Sequence, residues 1–296
     1  MLARGLDLGY GMASALARAP RGVGIPAWRL AAAGERAGVR VLVGIGITLI
    51  FVPLVLTLLL SFFDEKLIVF PPRGYTASWY GAILSSFGGA IATSLQLGLC
   101  AVAGSLLLGV PAGIALSRYR FRGKGALATL LLAPLTVPGI ALGLAVFVFL
   151  VALDTASGSA LTGSFTGLVL AHIMITTPWM VRLCLASLVN HDRTQEDAAA
   201  SLGARPLMVL WRVTLPAMRT GIVAGALFAF VISFENLELA WFLISPGVTT
   251  LPVAVLQYLE YHIDPLIAAV AVAQMIGVGV TLVVLDRLVR LSRVAL

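Results

Sequence analysis

The chain has 296 residues, 60% of them hydrophobic and only 11% charged, with a mean hydropathy of +1.03. Ordinary soluble domains carry about 25% charge, so a soluble globular enzyme is excluded and a polytopic membrane protein is implied. The formal net charge of +7 does not point to nucleic acid, because the basic residues gather at the ends of apolar segments, as orienting charges do.

In chain order, residues 1–40 read as a Gly/Ala/Arg-rich tail with six arginines and two acids. It lacks the continuous apolar core of a cleavable signal peptide and is expected to stay as a cytoplasmic tail. The first span is expected at about Val41–Phe63, long enough to cross roughly 30 Å of hydrocarbon. Residues 64–89 read as an external loop whose Trp79-Tyr80 end suits the membrane interface. The second span is expected at about Ala90–Leu116, followed by a short inner loop with Arg118, Arg120, Arg122 and Lys124. The third, about Ala126–Leu153, contains Pro134 and Pro138 and is expected to kink. A Ser/Thr/Gly loop at 154–164 leads to the fourth span, about Phe165–Leu188, which holds His172 and Pro178. A long polar stretch, 190–216, precedes the fifth span at about Gly221–Ile244. An external segment, 245–265, and a sixth span at about Leu266–Leu285 complete the domain, 41–290.

The charges orient this arrangement. With both termini inside, 18 of the 20 Lys/Arg lie on the inner side, leaving Lys66 and Arg73 outside. That asymmetry predicts an all-α membrane protein of six transmembrane helices, N-in and C-in. The 30 glycines suit close helix packing. Cys100 and Cys184 lie in apolar segments, which suggests neither a disulfide nor a metal site.

Catalytic signatures are missing. No Gly-x-x-x-x-Gly-Lys-Ser/Thr loop occurs, since Gly123-Lys124 is followed by Gly125. There is no His-Glu-x-x-His zinc motif and no Gly-x-Ser-x-Gly elbow. The reading is a non-enzyme with no nucleotide site of its own. The costly residues are Glu235 and Glu238, because a carboxylate at membrane depth faces a cavity or a partner. Their spacing of three predicts one helix face, and a rise of about 1.5 Å per residue puts Glu235 roughly 21 Å from the inner surface. His172 is expected at similar depth. Two readings stay open. Glu235, Glu238, Asn236 and His172 line a substrate path, or the acids are protonated, or bonded permanently to His172, Asn236 or a partner subunit.

The 190–216 stretch predicts two short helices with a sharp bend. Asn190 or Asp192 is placed to cap the first helix, Gly203 to end it and Pro206 to open the second. Ala198, Ala199, Leu202, Leu207 and Leu210 form an apolar face that must dock on something. Its pattern, Asp197-Ala198-Ala199, then Gly203, then Val213-Thr214-Leu215-Pro216, resembles the cytoplasmic loop of ATP-binding-cassette importer permeases. Their pattern is Glu-Ala-Ala, three residues, Gly, nine residues, Ile-x-Leu-Pro. Asp197 stands here for Glu, and Val213 for Ile.

The likeness extends over roughly 41–290. Phe70-Pro71-Pro72-Arg73-Gly74-Tyr75 with Trp79-Tyr80 is similar to the first external loop of spermidine/putrescine-type permeases. Tyr119-Arg120-Phe121-Arg122-Gly123 and Ala133-Pro134-Leu135-Thr136-Val137-Pro138 resemble their next inner loop and third span. Ser245-Pro246-Gly247-Val248-Thr249-Thr250-Leu251-Pro252 and Asp264-Pro265-Leu266-Ile267-Ala268-Ala269-Val270 resemble their last external segment. The resemblance implies a type I importer permease fold forming half of a transmembrane pair in the inner membrane. It implies a second permease subunit, two ATPase subunits that hold ATP and Mg, an external solute-binding protein and lipid as partners, with no nucleic acid. Asp197, Ala198, Ala199, Gly203, Leu215 and Pro216 would then couple to the ATPase. The implied solute is small and polar, a cation such as a polyamine, or alternatively an opine, an aminoalkylphosphonate or an amino-acid-like molecule. A secondary transporter or channel would instead show repeat symmetry or ion-site residues in broken helices, neither of which is visible in the sequence.

Overall fold

Backbone groups facing hydrocarbon have no water to bond, so apolar runs of this length fold as helices that close their bonds internally. The protein's structure, a computed structural model, describes residues 27–65, 71–189 and 191–289. These form helices α1 (Ala27–Leu60), α2 (Ser78–Arg118), α3 (Lys124–Leu132), α4 (Gly139–Ser157), α5 (Phe165–Val189), α6 (Thr194–Ser201), α7 (Pro206–Val209), α8 (Leu215–Phe234), α9 (Glu238–Leu243), α10 (Leu251–Leu259) and α11 (Pro265–Val289). Among the described residues, six stretches are long and apolar enough to cross a membrane: Gly38–Leu60, Ser78–Arg118, Gly139–Ser157, Phe165–Val189, Pro206–Phe234 and Pro265–Val284. Most of the expected tail, Lys66, the possible Asn190 cap, Arg290 and Arg293 lie outside the described residues.

The chain divides into two units, Met1–Leu56 and Thr57–Leu296. In the first, α1 begins at Ala27, within the expected tail, and its large apolar side chains from Val39 to Val55 are exposed.

In the second unit several expected boundaries move. The second span starts at Ser78 rather than near Ala90, because a two-residue bridge between Phe63 and Tyr75 ends the loop early. The Trp79 indole N–H donates to the Phe63 carbonyl at 2.7 Å, and the Ser61 and Tyr80 hydroxyls meet at 2.7 Å. These contacts anchor the aromatic residues that the sequence places at an interface. The third span is broken rather than kinked. Helix α3 gives way to a 3-10 turn over Ala133–Leu135, and α4 restarts at Gly139 after Pro138. Two prolines four residues apart remove two donors from one turn, which a continuous helix cannot absorb.

The core lies among α2, α5 and α8. Gly109 and Gly113 of α2 face α5 so closely that a Cβ at Gly109 would sit 2.6 Å from Met180 Cγ, and one at Gly113 2.8 Å from Cys184 Cβ. Met180, Cys184, Leu188 and Met218 are fully or almost fully buried there. Nearer the α9 end, Leu97, Leu168, Ala171, Leu239 and Leu243 form a second buried cluster. A third joins Phe87, Phe234, Leu251 and Ala269. Small residues matter at such crossings because lipid supplies no hydrophobic drive between helices, so association rests on close contact.

The orientation inferred from charge makes a definite expectation. An impermeant thiol reagent added outside should label cysteines placed at the exposed Tyr75 and Gly247 and spare those at Arg120 and Gln195. The inverse pattern would overturn the N-in orientation.

Candidate functional site

Two places gather the residues singled out by sequence. The first is the 190–216 loop. Asp192 Oδ1 accepts the Thr194 backbone N–H at 2.9 Å at the start of α6. Hydrogen bonds from the Thr194 hydroxyl and N–H hold the Asp192 carboxyl below its ordinary range. Eight residues later the helix ends in a Schellman arrangement. The Gly203 N–H donates to the Ala200 carbonyl at 2.9 Å and the Ala204 N–H to Ala199 at 3.1 Å. Gly203 has φ +86°, the left-handed conformation this closure requires. Pro206 opens α7 at its first turn, where a missing N–H costs nothing.

Beyond the bend, Leu202 is 90% exposed, and Leu207 and Trp211 are each 65% exposed. Ala198 is exposed, while Ala199 and Leu210 are half-buried. Trp211 was not among the expected apolar residues, although its distance of four from Leu207 places both on one helical face. Asp197 is exposed in the first turn of α6, and its carboxylate makes no hydrogen bond among the described residues. Its neighbour behaves oppositely. Glu196 Oε1 accepts from Arg118 Nη2 at 2.8 Å, Arg118 Nε at 3.2 Å and the Thr214 hydroxyl at 3.0 Å. Leu215 and Pro216 form the first turn of α8, entered through a π turn over Leu210–Thr214.

The second place is the outer end of the fifth span. The expected continuous helix through Ile244 is interrupted. Helix α8 ends at Phe234, Glu235 to Leu237 leave helical form, and α9 starts at Glu238. Asn236 Oδ1 accepts the Leu239 N–H at 2.9 Å, an N-cap bond with Glu238 as the acid of the first turn. That Asn-x-Glu signature was present in the sequence and marks a helix start. The two acids therefore flank a break and do not share a helix face. Both are exposed. A Cβ at Gly139 would coincide with Oε2 of Glu238, so this carboxylate lies over the first residue of α4, where backbone N–H groups have no helical partner. Helix N-termini favour negative charge, which gives Glu238 a compensation that a search for Lys or Arg does not reveal.

His172 does not reach the acids. It is fully buried, and its Nδ1 lies 2.9 Å from Ser233 Oγ in the last turn of α8. Its backbone carbonyl accepts the Thr176 hydroxyl at 2.7 Å, and that hydroxyl meets Ser105 of α2 at 2.7 Å. The imidazole thus ties α5 to the end of α8 beside the break. An apolar cavity of about 250 Å3 between α2, α8, α10 and α11 is lined by residues including Phe230, Phe234 and Gln274, and by none of the four polar candidates. No cluster of three or more metal-ligating side chains occurs among the described residues.

A broken span is also a mark of secondary carriers, so that feature does not separate the two classes. Comparison with known proteins does. The chain is 33% identical over 239 residues to the putrescine transport system permease protein PotI of Escherichia coli, covering 80% of this chain and 85% of that one. It is 25% identical over 224 residues to the spermidine/putrescine transport system permease protein PotC of Escherichia coli, covering 75% and 82%. Among solved structures, a bacterial ABC transporter involved in import of the acidic polysaccharide alginate superposes with TM-score 0.68 at 18% identity, covering 90% of this chain and 99% of that one. The inward-facing MetNI methionine ABC transporter superposes with TM-score 0.58 at 17% identity, covering 70% and 96%. These two likenesses establish the fold. Residues 105–293 match the model of the binding-protein-dependent transport system inner membrane component family, and the chain belongs to that family.

Proposed function

We propose that this chain forms half of the transmembrane pathway of an ATP-binding-cassette importer for a small polar cation of the polyamine class. A second permease completes the pathway, two ATPase subunits carry ATP and Mg, and an external binding protein delivers the solute. The chain's own role is transport, with no catalytic step. The observation that carries this reading is the 190–216 loop. A glycine-closed bend holds Leu202, Leu207 and Trp211 in the open beside an unpaired Asp197, as a cleft on an ATPase would require. Exposed apolar groups on a built bend are a docking surface rather than a stray loop. Asp197, Ala198, Ala199, Gly203, Leu215 and Pro216 make up the coupling element in this reading. ATP-driven movement of the loop then biases the spans between two states.

The solute class is supported by the names of the two polyamine permeases to which the chain is similar. Two carboxylates beside a broken span also suit a cation, because an acid at membrane depth is costly unless compensated. Glu235 is the stronger path candidate, since Glu238 already lies over the start of α4. Asn236 and His172 shape the break, by capping α9 and by holding Ser233.

The test is uptake of labelled putrescine by vesicles carrying the assembled transporter. Glu235→Gln should reduce uptake at least tenfold, Glu238→Gln about two- to threefold, and the double variant should match or exceed the loss of the first. Unchanged uptake in an assembled double variant would reject the cation path. Wild-type uptake of an opine, aminoalkylphosphonate or amino acid in place of putrescine would move the solute to one of those classes.

A further inference from the structure

We infer that Glu196 is the positioning residue that ties the 190–216 loop to the transmembrane helices, through a shared contact with Arg118 and Thr214. This rests on the reading that the loop meets an ATPase. It assigns to Glu196 a task different from that of the motif acid Asp197.

Three elements meet at one carboxylate oxygen. Arg118 ends α2, Glu196 stands in the first turn of α6, and Thr214 closes the π turn that feeds α8. Arg118 Nε and Nη2 and the Thr214 hydroxyl donate to Glu196 Oε1 at 2.8–3.2 Å. The Arg118 and Glu196 side chains are each only 13% exposed, and Thr214 is 4% exposed. Shielding of this degree separates the pair from surface ion pairs, which solvent weakens to insignificance. Charge-assisted bonds shared by one acceptor are also directional. Asp197, one residue on, turns its unpaired carboxylate outward. Adjacent helical residues point about 100° apart, so one acid can serve the bundle while the next faces a partner.

The consequence is mechanical. Helix α2 runs unbroken for 41 residues from Ser78 to Arg118, about 60 Å at 1.5 Å per residue. Helix α8 runs from the π turn to the break at Glu235. A displacement of α6 therefore pulls on the ends of two helices that pack on α5, one of which leads directly to the proposed path acids. Without Glu196 the loop would still present its docking face, but its movement would no longer be passed on.

The experiment uses the full transporter with its ATPases and partner permease in liposomes. A reporter thiol at Leu237→Cys, in a Cys100→Ala background, reads the state of the break while ATP hydrolysis is measured in parallel. In the parent, ATP should change the labelling rate severalfold. Glu196→Gln and Arg118→Gln should remove at least nine-tenths of that change while ATP is still hydrolysed. The exchange Arg118→Glu with Glu196→Arg should restore at least half of it. An arginine at position 196 can donate to the Thr214 hydroxyl, which accepts as readily as it donates. Thr214→Val keeps the ion pair and should lower the change two- to threefold, which tests the contact even where the charge variants fail to assemble. An ATP effect that survives Glu196→Gln or Thr214→Val, or an exchange without rescue, overturns the inference. A parent complex that retains no ATPase rejects the underlying docking reading instead, and is recognised by co-purification alone.

Discussion

Gly203→Val is expected to lower uptake by up to about thirtyfold while leaving the amount of membrane-inserted protein unchanged. The residue sits at φ +86° in a closure made by two backbone bonds, Gly203 to Ala200 and Ala204 to Ala199. An L-residue in this region costs about 1–2 kcal/mol, and a β-branched one lies at the unfavourable end. A penalty of that size changes the ratio of bent to unbent loop about five- to thirtyfold. The six spans do not depend on the bend, so insertion should survive. Among the described residues, and apart from its immediate chain neighbours, no atom lies within 4 Å of a Cβ built at Gly203, so the effect is conformational and not one of bulk. Gly203→Asn separates the two, because asparagine tolerates the left-handed region. The asparagine variant should keep most of the uptake. Equal loss in both variants, with the loop intact by proteolysis, would mean that a partner fills the space beside Gly203.

Gly113→Leu is expected to destabilise the bundle strongly. A Cβ there would lie 2.8 Å from Cys184 Cβ and 3.6 Å from the Val181 carbonyl oxygen, and Cys184 is fully buried. Neither neighbour is the flexible tip of a long side chain, so α2 and α5 would have to separate. Overpacking costs about 1–3 kcal/mol where the surroundings adjust, and separating two helices whose association rests on contact adds to it. The measurement is the folded fraction recovered after heating in detergent. Gly113→Leu should fall far below the parent, and Gly113→Ala should show a smaller loss. Combining Gly113→Ala with Cys184→Gly removes the Cβ that the new methyl would meet and should recover part of that loss. A heat-stable Gly113→Leu variant would show that the α2–α5 approach is looser than described.

The amino-acid sequence alone determined the six spans, because partition into hydrocarbon depends on the composition of a window and not on what it touches. It also determined the 190–216 bend, since Gly203 and Pro206 act on their own backbone within a few residues, and the structure has the bend where those residues put it. The split of the third span was half legible. Pro134 and Pro138 announced a distortion, but whether a helix kinks or stops depends on what else can satisfy the freed carbonyls. The early start of the second span was hidden by polar and aromatic residues that read as loop until the Phe63–Tyr75 bridge places them. The break at Glu235–Leu237 carried a local signal in Asn236 and Glu238, outweighed in the sequence by the apolar run on either side. Other features had no local signal. Glu196 meets Arg118 across 78 positions and His172 meets Ser233 across 61. Glu238 lies over Gly139 from a different span. Each pairing is a distance between segments that are remote in the chain. Sequence specifies which residues need partners, because an acid or an imidazole in a membrane segment is costly alone. Only the packing of one helix on another decides which partner each of them meets.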